Sequence, residues 1–340
     1  MQIKTEPQLL DLLTRPSEAL VAFMATLQGP LVILGAGGKM GPTLCVRAKR
    51  AAEQASNPIP IIAVSRFSDK GQKAWLESKG VQTHSCDLMD RDSLRNFPDA
   101  EHVIYLVGMK FGTQSNPALT WAVNALIPDY MCERYPNARI VALSTGNVYT
   151  MTEVEGGGSV ESDPLEPLGE YANACVARER VFEYKSQQLG TAIVSIRLNY
   201  AIDLRYGVLV DLAQKIIAGK PVDLTMGYFN CIWQGDANDM ILRALPLATS
   251  PARALNVTGK ETLSVRKTAL ALGRLMNKPV SFSGTESTIA LLNNSAVAHD
   301  ELGPPSVGIE EMLEWTARWI QDGNQLLNKP THFETRDGKY

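Results

Sequence analysis

A glycine-rich turn between an apolar run and a helical segment is the feature that most constrains the fold of this chain. The apolar run at residues 31–34 ends in Gly35-Ala36-Gly37-Gly38-Lys39-Met40-Gly41, and a segment rich in Ala, Lys and Arg follows to residue 55. Glycines let the backbone turn sharply and let a ligand approach, while the start of a helix offers free N–H groups to phosphate. A flexible loop could carry the same glycines, but the order of strand, turn and helix predicts a dinucleotide-binding site.

The same alternation of apolar runs and helical patterns continues along the chain. Further β-branched runs predict strands at 61–64, 103–107, 140–143 and 191–198, and the periodicity predicts helices at 71–79, 116–134 and 168–188. Continuous apolar runs are typical of strands that are buried on both faces of a parallel sheet. The sequence therefore predicts an α/β fold, a Rossmann-type doubly wound parallel sheet with a smaller C-terminal substrate lobe.

The pattern also predicts how the chain divides. We expect an N-terminal helical extension at 1–28 with Ser17 as a helix cap, a dinucleotide-binding domain at 29–200, a partly interleaved substrate lobe at 201–323 and a tail at 324–340. The lobe is predicted to contain helices at 204–218, 236–248, 264–276 and 308–322, and strands near 220–225, 229–233, 254–258 and 280–283. The tail has no periodicity, so it is either loose or wrapped around a neighbour.

Composition excludes several classes of protein. With 45% hydrophobic and 20% charged residues and a formal net charge of −3, the chain is an ordinary globular protein without the basic excess of a nucleic-acid binder. No apolar run is long enough to span a membrane, and no signal peptide is recognisable. Five scattered cysteines indicate a reducing, cytoplasmic compartment, and the four histidines are not spaced as metal ligands, so no metal is predicted.

The end of the second predicted strand bears on the choice of cofactor. An acidic residue usually stands there in an NAD site, where it accepts hydrogen bonds from the adenosine ribose. This chain has Arg66 instead. A guanidinium suits a 2′-phosphate, which favours NADP, although an arginine stacked on the adenine would leave NAD as the alternative.

Motifs along the rest of the chain resemble the extended short-chain dehydrogenase/reductase family, in its NAD-dependent epimerase/dehydratase branch. The resemblance covers about residues 30–322 and rests on Cys86-Asp87-Leu88, Leu106-Val107-Gly108-Met109-Lys110, Asn124, Leu143-Ser144-Thr145-Gly146-Asn147-Val148-Tyr149, Tyr171 and Asn256-Val257-Thr258-Gly259. It implies cofactor contacts, beside Arg66, from Gly35, Gly37, Gly38, Lys39, Met40, Gly41, Asp87, Leu88, Val107, Gly108, Lys110, Asn124, Tyr171 and Asn199. It implies substrate contacts from Thr145, Asn147, Asn199, Tyr200 and Arg205, with Tyr206 beside them.

The catalytic helix departs from the family pattern. The family carries Tyr-x-x-x-Lys, whose lysine lowers the pKa of the tyrosine, but this chain reads Tyr171-Ala172-Asn173-Ala174-Cys175. A thiol supplies no positive charge near neutral pH, and we interpret Cys175 as a small buried residue rather than a nucleophile. Arg178 is predicted to be a poor substitute, because seven residues of helix place it about 10 Å from Tyr171.

Three alternatives follow from the missing lysine. Lys110 could supply the cation, Tyr171 and Thr145 could work more slowly without one, or the chain could bind its cofactor without catalysis. The first two describe an NAD(P)-dependent oxidoreductase or epimerase in which Tyr171, Thr145 and Lys110 are catalytic. The third describes a redox sensor or partner-binding module.

The resemblance also implies what the substrate is. Dehydratases of the family have an Asp-Glu pair after the catalytic threonine, whereas Gly146 and Asn147 follow Thr145 here. Nucleotide-sugar enzymes of the family place an arginine, which binds the diphosphate of the substrate, where this chain has Phe229. Arg197 or Arg205 could make that contact instead. We therefore expect a sugar-like small molecule, with a modest preference for one without a nucleotide, and the resemblance implies a homodimer through the 116–134 and 168–188 helices.

Overall fold

The computed structural model describes residues 3–110 and 115–338, except for the side chains of residues 95 and 96. Its α-helices are α1 (Glu6–Thr14), α2 (Glu18–Met24), α3 (Gly41–Gln54), α4 (Lys70–Ser78), α5 (Pro117–Arg134), α6 (Gly169–Leu189), α7 (Val208–Ile217), α8 (Gln234–Arg243), α9 (Val265–Met276), α10 (Ala296–Leu302) and α11 (Ile309–Gln321). Its strands are β1 (Leu31–Leu34), β2 (Ile61–Ser65), β3 (Gln82–Ser85), β4 (His102–Tyr105), β5 (Arg139–Thr145), β6 (Thr152–Glu153), β7 (Ala192–Leu198), β8 (Ala201–Ile202), β9 (Val222–Asp223), β10 (Tyr228–Phe229), β11 (Ile232–Trp233), β12 (Arg253–Val257), β13 (Leu263–Ser264), β14 (Phe282–Ser283) and β15 (Ile289–Ala290).

A seven-stranded parallel sheet forms the centre of the molecule, with the strand order β12-β7-β5-β4-β1-β2-β3. The chain runs outward from β1 to β3 and then crosses back to β4 on the other side of β1. This reversal creates a crevice at the carboxyl ends of β1 and β4, where ligands bind in open α/β sheets. The predicted Rossmann-type parallel sheet is confirmed.

The two faces of β1 explain why the sheet is covered on both sides. Leu31 and Ile33 are packed in one core with α2, α3 and α8, while Val32 and Leu34 belong to a second core with α5 and α6. Successive side chains of a strand point to opposite faces, so a strand buried throughout needs helices on both sides. All four β1 residues are buried.

The substrate lobe has its own core, in which α1, α7, α9, α11 and the tail meet. Two predictions for this part are wrong. The strand expected near 254–258 is β12, which pairs with β7 as the edge of the central sheet rather than lying in the lobe. The helix expected from residue 204 begins at Val208, because Asp203 and Tyr206 pair their backbones in a tight turn first.

The N-terminal and C-terminal segments both pack against the rest of the chain. Ser17 caps α2 as predicted, accepting a hydrogen bond from Leu20 N at 3.0 Å, and it also binds Asp239 of α8. In the tail, Thr331 donates to the Asp211 carboxylate, and Phe333 is buried beside Phe229. The described part of the tail therefore packs on its own chain.

A buried ion pair ties α6 to the sheet. Glu179 accepts hydrogen bonds from the Arg197 guanidinium of β7 at 2.8–3.2 Å, and the Ser144 hydroxyl of β5 also donates to it. Arg197 in turn donates to the Tyr149 hydroxyl, which donates to Asn256 of β12. Both charged side chains are nearly inaccessible to solvent, so each depends on the other for compensation.

We predict that Glu179→Ala destabilises the fold by about 3–5 kcal/mol, because it leaves Arg197 charged and buried without its partner. Glu183→Ala, which removes an exposed pair with Arg180 on the same helix, is the control and should cost about 1 kcal/mol or less. Chemical denaturation of the two variants measures the difference. Equal midpoints for both variants would contradict the role given to the buried pair.

Candidate active site

A cavity of about 1000 Å³ opens at the carboxyl edge of the sheet, between the ends of β1, β4, β5 and β7 and the substrate lobe. Most of the predicted site residues line it. They are Gly35, Gly37, Gly38, Lys39, Met40, Gly41, Gly108, Lys110, Thr145, Asn147, Tyr171, Asn199, Tyr200 and Arg205. Four separate loops supply these residues, and the parallel sheet brings the loops together because its strands end at one edge.

The glycine turn forms one wall of the cavity, and its glycines are required by close approaches of the backbone. Gly35 has φ +77°, and a Cβ there would lie 2.9 Å from Val107 N. A Cβ on Gly41 would lie 2.3 Å from the Ala36 carbonyl oxygen, and one on Gly37 would lie 2.5 Å from Ser65 Oγ. The turn therefore brings bare backbone and the start of α3 to the cavity, which is a cradle for phosphate groups.

Tyr171 stands in the first turn of α6 and lines the opposite side of the cavity. Its hydroxyl is hydrogen-bonded to Thr145 at the end of β5 and to the Cys175 thiol, one helical turn further along α6. Burial and the neighbouring thiol hold the pKa of Tyr171 well above its usual value, while Arg178 and the Thr145 hydrogen bond oppose that shift. The phenol is therefore protonated at neutral pH and is a proton donor in this state.

Arg178, predicted to be a poor substitute for the missing lysine, contributes to the electrostatics of this group. Its guanidinium donates to the Val107 carbonyl and to Asn124 Oδ1, both at 2.9 Å. Its charge lowers the pKa of both Tyr171 and Cys175, against the larger effect of burial.

Two lysines contribute positive charge to the cavity. Burial lowers the pKa of Lys110, in the loop after β4, to about 8, while Cys175 and Asp211 oppose the shift. Burial likewise lowers the pKa of Lys39 to about 7, and the nearby charges of Arg205 and Lys110 add to this. The Lys39 ammonium donates to the Ala201 carbonyl at 2.9 Å and lies 4.4 Å from the centre of the Tyr206 ring. Lys39 thus spans from the glycine turn to the substrate lobe.

The predicted substrate contacts differ in how available their polar groups are. Asn199 donates to Asn230 Oδ1 at 2.8 Å, and Thr145 and Asn147 are hydrogen-bonded to each other. The Arg205 guanidinium is held by two hydrogen bonds to Asp203 and one to Glu6. Arg205 therefore lines the cavity with its charge already compensated.

Five residues predicted to contact the cofactor do not line the cavity. Arg66 is exposed on the surface, and Leu88 is buried in the core on the β1, β2 and β4 face. The Asp87 carboxylate accepts a hydrogen bond from Met89 N, and the side chain of Asn124 is bound to Arg178 and to Thr120. Val107 contributes its backbone beneath Gly35 and to Arg178 rather than a surface of the cavity.

Other residues line the cavity without having been predicted from the sequence. Asp69, Gln72 and Trp75, at the start of α4, lie at the end of the cavity beyond Gly37, where Arg66 was expected. The two chain ends also contribute, and their residues at the cavity are Glu6, Leu10, Leu327, Lys329 and Thr331. The motif pattern gave no signal for any of them, because their positions depend on the folded chain.

Comparison with known proteins identifies the class to which this fold and cavity belong. The sequence pattern of the NAD dependent epimerase/dehydratase family matches residues 31–218, which is more than half of the chain. The protein belongs to this family. No curated protein matches the sequence.

Solved structures of distant sequence share the fold. UDP-glucuronic acid 4-epimerase from Bacillus cereus, solved with UDP-glucuronic acid and NAD, is 17% identical with a TM-score of 0.69, covering 86% of this chain and 99% of its own. The dTDP-glucose 4,6-dehydratase DesIV from Streptomyces venezuelae, solved with NAD and TYD, is 18% identical with a TM-score of 0.71, covering 86% and 97%. UDP-glucose 4-epimerase from Thermus thermophilus, solved with NAD, is 19% identical with a TM-score of 0.68, covering 86% and 99%.

In the part of the chain that the structure describes, no helix is both long and apolar enough to cross a membrane. Across the same residues, no group of three or more His, Cys, Asp or Glu side chains is arranged to hold a metal ion. All five cysteines are free thiols.

We predict that Lys110→Met raises the pKa of Lys39 from about 7 toward its ordinary value, because a nearby positive charge disfavours the protonated amine. Lysine-selective NMR titration of the side-chain ammonium measures the shift. Lys49→Met is the control, because Lys49 lies on α3, which follows the glycine turn, and is paired with Glu53. This variant should leave the pKa of Lys39 unchanged. An identical pKa of Lys39 in the wild type and in Lys110→Met would show that the two lysines do not interact.

Proposed function

We propose that this protein is a nicotinamide-dependent epimerase or dehydrogenase that acts on a hydroxyl or carbonyl carbon of a sugar-like small molecule. The observation that carries the proposal is that the Tyr171 hydroxyl, hydrogen-bonded to Thr145, faces the same cavity as the glycine cradle. Membership of the family supports it, as do structural neighbours that are UDP-glucuronic acid and UDP-glucose 4-epimerases solved with NAD.

The cradle fits a dinucleotide because its glycines let the backbone turn tightly at the start of α3. The glycines at 35, 37 and 41 cannot carry a Cβ without collisions, and α3 begins at Gly41 with its N–H groups toward the turn. Gly35, Gly37, Gly38 and Gly41 would hold the diphosphate, and Gly108 and Lys110 would lie along the nicotinamide half. When bound, a nicotinamide cofactor supplies hydride transfer to or from a carbon of the substrate.

The side chains around Tyr171 determine its part in the reaction. With its pKa raised, the phenol is protonated and donates to the oxygen of a bound carbonyl, and the reverse reaction needs it to take up the proton of an alcohol. Thr145 holds the phenol in position and can hydrogen-bond the same substrate oxygen. The positive charge of Arg178 stabilises the phenolate side of this exchange, and Lys110 lies near Cys175, where the resemblance puts a lysine.

Packing around Thr145 supports the exclusion of a dehydratase. Gly146 follows it, and a Cβ at that position would lie 2.4 Å from Asn293 Oδ1. An acidic side chain therefore cannot replace this glycine without moving Asn293. Two arginines that could have held a substrate diphosphate are engaged elsewhere, Arg197 with Glu179 and Arg205 with Asp203 and Glu6. Both observations favour oxidation, reduction or epimerisation of a substrate without a nucleotide.

A second candidate function is binding of the cofactor without catalysis. The observation that favours it is the Cys175 thiol, which sits hydrogen-bonded to the catalytic phenol and raises its pKa. A sensor or partner-binding module of the same fold would keep the glycine cradle and have no need of a proton donor.

Assembly and location extend the proposal. We infer a homodimer through α5 and α6, because these helices expose a set of large apolar side chains. They are Leu119, Trp121, Leu126, Tyr184 and Leu189. A cytoplasmic location remains a prediction from the unpaired cysteines.

The central test replaces the phenol. Tyr171→Phe should lower kcat/KM by about 10²- to 10⁴-fold because it removes the proton donor, while the cofactor Kd stays unchanged. Tyr184→Phe, which is exposed on the same helix, is the matched control. Turnover is followed on free sugars, sugar acids, polyols and nucleotide sugars, by absorbance of reduced nicotinamide and by NMR of the product's stereochemistry. Normal turnover by Tyr171→Phe would refute the mechanism, and cofactor binding without any turnover would support the second candidate.

The structure reverses the expected choice of cofactor. The Asp69 carboxylate lines the cavity where Arg66 was expected, and the neighbours were solved with NAD, so we predict that NAD binds at least about tenfold more tightly than NADP. Asp69→Ser keeps an oxygen to cap α4 and should reduce this preference, because it removes a charge that repels the 2′-phosphate. Calorimetry gives both Kd values. A selective loss of NADP affinity in Arg66→Ala would restore the expectation from the sequence.

A further inference from the structure

The tail crosses the substrate lobe along a single path. Leu327 N donates to the Arg205 carbonyl at 2.9 Å, at the rim of the cavity, and Thr331 N donates to the Asp211 carboxylate at 2.9 Å. Arg336 then reaches the far side of the lobe, where it donates to the carbonyls of Thr225 and Ile289 at 2.9 and 3.1 Å. The tail thus runs from the large cavity to the region of β15.

Strong contacts hold this path in place. Phe333 is only 2% exposed and packs against Phe229 in the core of the lobe. Glu334 is paired with Lys215 of α7, and Arg336 makes a third hydrogen bond to Ser287 Oγ. A buried aromatic ring and a guanidinium that binds three acceptors fix the segment as part of the lobe.

The end of the tail fills a groove that continues from the cavity. Asn147 lines the large cavity and also a remnant of about 20 Å³ that is walled by Met226 and Leu291 on one side and by Thr335 and Arg336 on the other. A space of this size holds about one water molecule. The tail therefore occupies the space into which a longer ligand, lying past Asn147, would extend.

The tail also touches both sides of the catalytic group. The Lys110 ammonium donates to the Thr331 carbonyl at 3.4 Å. At the other end, a Cβ on Gly169 would lie 2.0 Å from the Gly338 carbonyl oxygen, so the two backbones are in direct contact two residues before Tyr171. The residues that carry the proposed chemistry are thus bounded by the tail.

We propose that residues 327–338 form the outer wall of the substrate pocket and restrict the substrate to a hydroxylated compound of monosaccharide size without a nucleotide. The inference rests on the proposed function. The cavity of about 1000 Å³ is at the upper end of the range for one small-molecule ligand, yet it must hold a dinucleotide as well as the substrate. The space of about 20 Å³ that the tail leaves beyond Asn147 is too small for a nucleoside diphosphate.

The test uses the full chain and one tail variant. Arg336→Ala removes the hydrogen bonds of the tail to Thr225, Ile289 and Ser287 without altering a residue that lines the large cavity, and Arg318→Ala, exposed on α11 of the same lobe, is the control. For each protein, kcat/KM is measured for free sugars and for the same sugars as nucleoside diphosphate esters, with calorimetry for binding of the esters and of the cofactor. Denaturation curves establish that each variant is folded, and Glu334→Gln serves as a milder second variant.

We expect the wild type and Arg318→Ala to prefer the free compound by about 100-fold. In Arg336→Ala this ratio should fall by about tenfold or more, with the cofactor Kd unchanged, because the wall is loosened. Equal or better use of the nucleoside diphosphate ester by the wild type, or an unchanged ratio in both tail variants, would overturn the proposal. If one of these two results is found while turnover still depends on Tyr171, only the proposed role of the tail is refuted. If turnover does not depend on Tyr171, the proposed function is refuted.

Discussion

Two consecutive side chains of α6 fix the catalytic helix in two directions. Arg178 points to one side and binds the Val107 carbonyl and Asn124, while Glu179 points to the other and binds Arg197 and Ser144. Each of these charges is buried, so a shift of the helix would leave a charge without its partner, which is far more costly than losing a surface contact. The position of Tyr171, two turns earlier on the same helix, follows from this double attachment.

The same attachment provides the cationic environment of the phenol. Where the family resemblance places a lysine, four residues after Tyr171, this chain has Cys175, and the positive charge that lowers the pKa of the phenol comes from Arg178. Burial is nevertheless the largest influence on the phenol, and its pKa stays above the usual value. An active site of this kind is better prepared to donate a proton to a carbonyl than to remove one from an alcohol at neutral pH.

The parts of the site that the sequence predicts are those defined by local geometry. The glycine turn follows from close backbone contacts, and Tyr171 and Thr145 lie on a helix and a strand whose patterns are clear. At the predicted ribose end of the site, Arg66 is exposed and does not line the cavity, while its neighbour Phe67, with φ +46°, is buried in the core. Asp69 lines the cavity instead through its place as the cap of α4. The tail and β12 depend on contacts with residues far along the chain, which no local pattern encodes.

Arg205 shows how the two chain ends contribute to the site. Its guanidinium binds Glu6 of α1 and Asp203, and its carbonyl accepts from Leu327 N of the tail. A guanidinium with two carboxylate partners carries little net charge toward the cavity, so it holds the chain ends together rather than attracting an anionic substrate. Lys39 and Lys110 also line the cavity, and because burial lowers their pKa values to about 7 and about 8, Lys110 carries more of the positive charge there at neutral pH. Under the proposed function, recognition of the substrate would depend on shape and hydrogen bonding at the end of the cavity closed by the tail, and on charge at the end bordered by the glycine turn.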